Sequence, residues 1–278
     1  MDFSLNEVQE MLADSIDKFI ENEYDFDSRQ QYAGSESGYS DEVWRMFAEL
    51  GWTAVPFSEA DGGFDGGPID IMVVMQRFGR GLVVEPYLAN VVLTGGVLKR
   101  LANAEQKERW LQPLIAGELQ ATLAFTEPQA RYDLANIVTT ATADGDDWVL
   151  SGRKGFVISG GTAELIIVPA RTSGNAGDEN GITLFAVDAS HDGVNRRAYP
   201  TVDGARAAEI ELQDVRVPGT ARLGAVGEGF AALDATIDDA TLAVCAEAVG
   251  IMHTLKEKTV EYSKNRSQFG MPIGGFQA

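Results

Sequence analysis

The sequence predicts an α+β chain in three successive parts: a helical domain over residues 1–118, a β-barrel or sandwich over 119–226, and the incomplete start of a helical bundle over 227–278. Three observations carry this reading. Apolar residues recur at helical spacing up to about residue 115, give way to short β-branched runs from Gln120, and return to helical spacing after Gly229.

The first helix is announced by Ser4 three residues before Glu7, a capping-box spacing, followed by Val8, Leu12, Ile16, Phe19 and Ile20 on one stripe. Residues 28–40 are polar and read as turns. A second helix over 42–50 would bury Val43, Met46, Phe47 and Leu50 and stop at Gly51. The glycine-dense stretch 61–68 has two readings, a phosphate cradle or a turn; it lacks the Gly-Lys-Ser/Thr ending of a phosphate loop and is read as a turn. Residues 69–79, 88–101 and 105–115 read as further helices. In the middle part, residues 137–143 and 148–150 flank Asp144-Gly145-Asp146-Asp147 as a hairpin, with further strands over 164–170, 182–187 and 207–212. The last part sets Phe230, Leu233 and Ile237, then Leu242, Cys245, Ala246, Val249 and Met252, on a long helix. Its apolar face needs cover from further residues or a partner chain.

Composition narrows the function classes. With 278 residues and 45% hydrophobic content the chain can bury a sizeable core. No apolar run approaches the ~20 residues that span a bilayer, and Met1-Asp2-Phe3-Ser4 carries neither a basic region nor an apolar signal core. The single cysteine, Cys245, has no internal partner, and with only His191 and His253 beside it the usual zinc ligand sets are missing. A reducing cytoplasm is expected. A formal charge of -20 argues against nucleic acid and anionic membranes, and an anionic ligand would have to meet specific Arg, Lys or backbone donors.

Three segments carry chemistry. They are Leu123-Ala124-Phe125-Thr126-Glu127-Pro128, the run Ser151-Gly152-Arg153-Lys154-Gly155-Phe156-Val157-Ile158-Ser159-Gly160-Gly161, and Arg266-Ser267-Gln268-Phe269-Gly270-Met271-Pro272-Ile273 with Phe276-Gln277. Together, and in this order, they resemble the acyl-CoA dehydrogenases. The resemblance implies a helical domain, a β domain and a helical bundle, an FAD cofactor, and α,β-dehydrogenation of an acyl-CoA thioester. It places flavin contacts at Leu123, Phe125 and Thr126, with Phe156 as the aromatic wall. Ile158 stands where a threonine is usual, and Ser159 follows it. Arg266, Gln268 and Phe269 fall on the stretch that binds the dinucleotide of a neighbouring protomer. The chemistry agrees: a planar flavin needs an apolar or aromatic wall, and a pyrophosphate favours a guanidinium fork.

Departures from the family pattern are informative. After Pro128 the usual Gly-Ala-Gly-Ser is replaced by Gln129-Ala130-Arg131-Tyr132, and this loop with Ala246-Glu247-Ala248-Val249-Gly250 resembles the small subunit of pimeloyl-CoA dehydrogenase and related heteromeric enzymes. The resemblance implies a second acyl-CoA dehydrogenase subunit in a homo- or hetero-oligomer, an electron-transfer flavoprotein-like acceptor, and a dicarboxyl- or sterol-derived acyl group met by Arg131 and Tyr132. It puts the catalytic base either in the later bundle, beyond this sequence, or at Ala240. Asp238 and Asp239 are turned off that position, and Glu247 is expected to face elsewhere, so no base is assigned. Two other readings remain: a structural partner that has lost its own cofactor site, and an oxidase or monooxygenase of the same architecture.

Overall fold

The computed structural model describes residues 4–276; Met1, Asp2 and Phe3, part of the leader argument, and Gln277 of the third motif lie outside them. Helices α1 (Glu7–Glu23), α2 (Phe26–Gly34), α3 (Asp41–Glu49) and α4 (Pro68–Gly81) open the chain. A π-helical turn, Leu88–Thr94, runs into α5 (Gly95–Leu101); α6 (Ala104–Gln106), a second π turn (Lys107–Leu111) and α7 (Gln112–Ile115) complete the helical domain.

Two local expectations change. The cap of α1 is Asn6, which accepts from Gln9 N at 2.9 Å while the Gln9 side chain accepts from Asn6 N at 3.1 Å, so the box sits two residues later than Ser4 and Glu7. Part of the stretch read as turns is helix α2, which has no buried residue to betray it and is started by Asp25 accepting from Ser28 N at 2.7 Å. The 61–68 loop is a turn: Gly63 N, Asp65 N and Gly66 N donate to Ser58 O, Phe57 O and Val55 O, and Gly67 N to the Asp70 carboxylate, so these amides are engaged by the protein itself. Phe47, stacked on Phe78 at 5.0 Å and tilted on Trp52 at 4.9 Å, anchors the helical core.

The β domain is an eight-stranded sheet from β1 (Ala121–Leu123), β2 (Thr140–Asp144), β3 (Asp147–Ile158), β4 (Leu165–Arg171), β5 (Ile182–Asp188), β6 (Val194–Pro200), β7 (Arg206–Pro218) and β8 (Arg222–Leu223). Its order is β6-β7-β3-β2-β4-β5-β8, with β1 added parallel to β4. The β2–β3 hairpin pairs as its sequence predicts. Strand β6 escaped the sequence pattern because it is almost wholly exposed, and β7 runs further than expected because its second half alternates buried and exposed residues. The sheet encloses its own core, including Leu150, Ile166, Phe185, Ile210 and Val215.

Helix α8 (Phe230–Asn265) is followed by a small hairpin, β9 (Ser267–Gln268) and β10 (Met271–Pro272). Its contact face agrees with the stripe read from sequence at Phe230, Leu233, Ile237 and Ala246 and departs from it at the remaining positions. Leu233, Thr236, Ala240, Ala243, Ala246 and Gly250 are buried, whereas Leu242, Cys245, Val249 and Met252 are exposed. Small residues face inward because α8 crosses α4 almost backbone to backbone: a Cβ on Gly79 would lie 2.1 Å from Glu247 O, and one on Gly250 would lie 2.0 Å from Gln76 O. Among the described residues no helix is long and apolar enough to cross a membrane, and no group of three or more His, Cys, Asp or Glu side chains is placed to hold a metal ion.

Candidate functional site

A cavity of about 400 Å³ lies where the three parts meet. The β domain contributes Phe156, Ile158 and Ser159 together with Ala205–Ala207, the helical domain the segment from Leu82 to Ala89, and α8 contributes Val244, Glu247, Ala248 and Ile251.

Phe156 owes its position to a backbone irregularity. The β3–β7 register shifts between Lys154 and Val157, both of which point inward and are buried, and Phe156 between them takes a φ of 50°. Its ring is thereby turned out of the sheet, 53% exposed, onto the cavity. Ser159 also has a positive φ, 57°, and is fixed through its N–H to Arg206 O at 2.8 Å, while Ile158 O accepts the Thr122 hydroxyl at 2.6 Å.

Behind this wall sits an ion pair removed from solvent on both sides. Lys154 Nζ donates to Glu127 Oε1 at 2.6 Å and to Pro169 O at 2.7 Å. The Glu127 carboxylate also accepts from Val138 N at 2.8 Å, from Thr139 N at 3.2 Å and from Gln129 Nε2 at 2.8 Å. Burial works against the charge on Glu127, but the Lys154 ammonium and these donors outweigh it and hold the carboxyl below the ordinary carboxylate range. Next to the pair, Gly155 N donates to Thr126 O at 2.9 Å, so the loop carrying Thr126 is stitched to the strand one residue before Phe156.

Of the residues singled out by sequence, the structure brings Phe156, Ile158 and Ser159 together on the cavity. Leu123 is fully buried in the helical-domain core and Phe125 packs partly buried against it, while Thr126 is half-buried beside them; none of the three lines the cavity. Arg131 and Tyr132 stand on the exposed turn after Pro128, Arg131 at a φ of 54° and Tyr132 fully solvated, away from the cavity. Arg266, Gln268 and Phe269 lie on the exposed hairpin beyond α8. Ala240 is buried in helix packing.

The residue missed is Glu247. It lines the same cavity as Phe156, and burial, then the neighbouring Asp203 carboxylate, push its carboxyl above the ordinary range. Its spacing from Ala240 was the available signal: seven residues is two turns less about 20°, so the two share a face of the helix. Glu85 also lines the cavity and is raised mainly by burial, but it is engaged, accepting the Tyr24 hydroxyl at 2.7 Å and Ser40 N at 3.4 Å.

These walls fit a flat heteroaromatic ring. Phe156 and Ile158 give an apolar face, the Ser159 hydroxyl makes no hydrogen bond to the described residues, and the cavity falls within the roughly 300–1,000 Å³ of small-molecule sites.

Comparison with known proteins agrees with the motif order. Family models described as the N-terminal, middle and C-terminal domains of acyl-CoA dehydrogenase match residues 6–118, 122–215 and 227–278. The chain is 31% identical over 283 residues to "Probable acyl-CoA dehydrogenase YngJ" of Bacillus subtilis, an alignment that takes in 100% of this chain and 74% of that protein. It is 32% identical over 250 residues to the "Caffeyl-CoA reductase-Etf complex subunit CarC" of Acetobacterium woodii, covering 87% of this chain and 65% of that one. The solved "FAD complex of PigA" superposes with a TM-score of 0.91 at 28% identity, over 100% of this chain and 73% of that chain. The order of the three parts, the cavity walled by the aromatic of the second motif, and these matches place the chain in the acyl-CoA dehydrogenase family, a family of FAD-dependent oxidoreductases acting on CH–CH bonds.

Proposed function

We propose that this chain is a subunit of an FAD-dependent acyl-CoA dehydrogenase and builds the ring-binding part of a site for the flavin and an acyl thioester. The observation that carries the reading is the three-walled cavity with Phe156 turned onto it by the β3 bulge. Phe156 and Ile158 would hold the flat ring, and Ser159 would supply a hydroxyl where the usual threonine is Ile158. Thr126 lies next to this wall through the Gly155 hydrogen bond. Bound there, the flavin would supply a two-electron acceptor for the β-hydrogen of the thioester. The apolar walls from Leu82 to Ala89 and from α8 would exclude water from the reacting carbons.

Arg266, Gln268 and Phe269 face solvent at the far end of α8, 93% exposed in the case of Phe269; in this reading Arg266 and Gln268 serve as donors to the dinucleotide of a neighbouring protomer in a homo- or hetero-oligomer, and Phe269 supplies an apolar surface beside it. The electron acceptor is of the electron-transfer flavoprotein type; a relative described as a subunit of a reductase-Etf complex supports this. The acyl group would enter between the Leu82–Ala89 segment and α8, lined by two carboxyl groups, which favours a chain without a terminal carboxylate over the dicarboxyl option.

The test is an absorbance spectrum of the full-length chain, alone and co-purified with its native partner. Flavin bands that are lost in Phe156→Ala and weakened in Arg266→Ala support the shared site. A colourless assembly that takes up no added FAD supports the structural-partner reading instead.

A further inference from the structure

We infer that Lys154 is a positioning residue for the flavin: its ammonium, drawn into the β domain by Glu127, sets the register of β3 that turns Phe156 onto the cavity. The inference rests on the dehydrogenase reading above and adds to it a residue that acts without touching the ligand.

The strand register carries the argument. Lys154 lies opposite Ile210 of β7 and Val157 opposite Ala208, so three steps along β3 span two along β7. In an unbroken strand side chains alternate, and with Val157 facing the core Lys154 would face out. Instead both are buried, Lys154 completely, and a surplus residue is taken up between them. Phe156 absorbs it at a φ of 50°, a conformation disfavoured for a residue with a Cβ and kept only where its surroundings over-determine it.

Those surroundings can be named. Lys154 Nζ is held by Glu127 Oε1 at 2.6 Å and by Pro169 O of β4 at 2.7 Å. Gly155 and Phe156, left without partners on β7, find acceptors elsewhere: Gly155 N donates to Thr126 O at 2.9 Å and Phe156 N to the Glu209 carboxylate at 3.5 Å. Thr126 and Glu127 are thus joined to Gly155 and Lys154, by backbone in the first case and by charge in the second. The first and second motifs of the sequence are thereby set at one separation.

The chemistry of the pair favours this role over one in stability. Taking two charges out of water costs about as much as their attraction returns, and an apolar pair of similar volume fills a core as well or better. What a buried ion pair adds is a fixed register. An ammonium between a carboxylate and a carbonyl is satisfied in one place, whereas an apolar side chain could leave the core with its strand. Glu127 is itself pinned by the amides of Val138 and Thr139 and by the Gln129 side chain, so it cannot follow a shift of Lys154.

The test uses the full-length chain in its native assembly, with Lys154→Met and the double variant Glu127→Gln/Lys154→Met; should the single variant fail to fold, the double variant carries the test. Read for each are the urea midpoint, amide exchange at Gly155 by fragment-resolved mass spectrometry, and the affinity and visible circular dichroism of bound FAD, which report the ring's surroundings rather than the stability of the fold. Removing both charges is expected to restore part of the urea midpoint without restoring the tether. Exchange at Gly155 stays raised by about tenfold or more in the double variant, the loss of one ordinary hydrogen bond. The dichroism of bound FAD stays altered and its affinity about tenfold or more weaker, the scale of an aromatic stacking contact. A double variant whose Gly155 exchange and FAD dichroism return to wild-type values overturns the inference, because charge burial alone then accounts for the pair. A crystal structure of that variant with Phe156 still at a positive φ overturns it as well. A wild-type assembly that takes up no FAD overturns the dehydrogenase reading, and the role toward the flavin with it, whatever the exchange at Gly155 shows about the register.

Discussion

Lys154 and Glu127 show how much of the site depends on side chains that never touch its ligand. The pair is buried on both sides, and removing one partner strands the other as an uncompensated charge. Lys154→Met is expected to cost about 3–5 kcal/mol in a urea titration, and the double variant with Glu127→Gln to recover part of it. Glu127, behind the cavity wall, and Glu247, on it, respond to pH in opposite senses. Glu127 is held low, so its contribution is complete above the ordinary carboxylate value of about 4.3 and fades as pH falls below it towards the folded value. Glu247 is held high by burial and by Asp203, with Glu85, Arg29 and Arg206 also facing the cavity. Above about 4.3 the folded state keeps a proton there that the unfolded chain has lost, so stability falls as pH rises through the folded value. Glu247→Gln should therefore gain on the wild type as pH is raised from 4 to 8, read as the shift in urea midpoint; a constant difference contradicts the raised value. None of this was legible in sequence, because Glu127 and Lys154 are 27 positions apart and only the fold puts them 2.6 Å from each other.

At the scale of elements, the sequence was most readable where burial follows a period and least where it does not. Helices α1, α3 and α4 and the β2–β3 hairpin are evident from apolar spacing. Helix α2 and strand β6 are not, since neither carries a buried stripe. For α8 the period was right and the face right in part: Phe230, Leu233, Ile237 and Ala246 pack inward, but Leu242, Cys245, Val249 and Met252 do not, because contact with α4 selects alanine and glycine where the backbones nearly touch. Glu247 was misjudged for the same reason, since its orientation follows from that face. Gly250→Ala tests the packing. The added methyl has no room before Gln76 O, and a loss of about 1–3 kcal/mol is expected, seen as a lower melting temperature with unchanged helix content.

Across the whole molecule, the helical domain and the β domain are held in register by cations that reach from one part to the backbone of the other. Arg206 of β7 donates to Ala33 O at 2.9 Å and Ser35 O at 2.7 Å at the end of α2, and Arg29 of α2 returns the contact to Asp203 O in the β6–β7 connection. Arg206→Met should loosen this seam. Amide exchange in residues 33–38 and 200–206 is expected to rise by about tenfold or more, given the ~1.5–3 kcal/mol typical of hydrogen bonds to a charged group, with the β-domain core unaffected. The order of the three parts was clear from apolar period and motif order. The seam between the first two, which borders the cavity, was not, because each bond in it joins residues more than 170 positions apart.

The π turn over Leu88–Thr94 has a consequence for how chains of this kind can vary in length. Such a turn is the trace of one residue more than an α-helix would use, and here the surplus is put to use: Asn90 is aimed at β1, its Oδ1 accepting Ala121 N at 2.7 Å and its Nδ2 donating to Gln120 at 2.9 Å, while Thr94 closes the wide turn onto Ala89 O at 2.8 Å. Deleting a single residue between 91 and 94 would restore ordinary helix and swing everything before it by about 100°, unhooking Asn90 from the first strand while leaving α5 seated. Single-residue gaps in this segment should be rejected in a deletion scan that tolerates the same change in the exposed loop around Gly177.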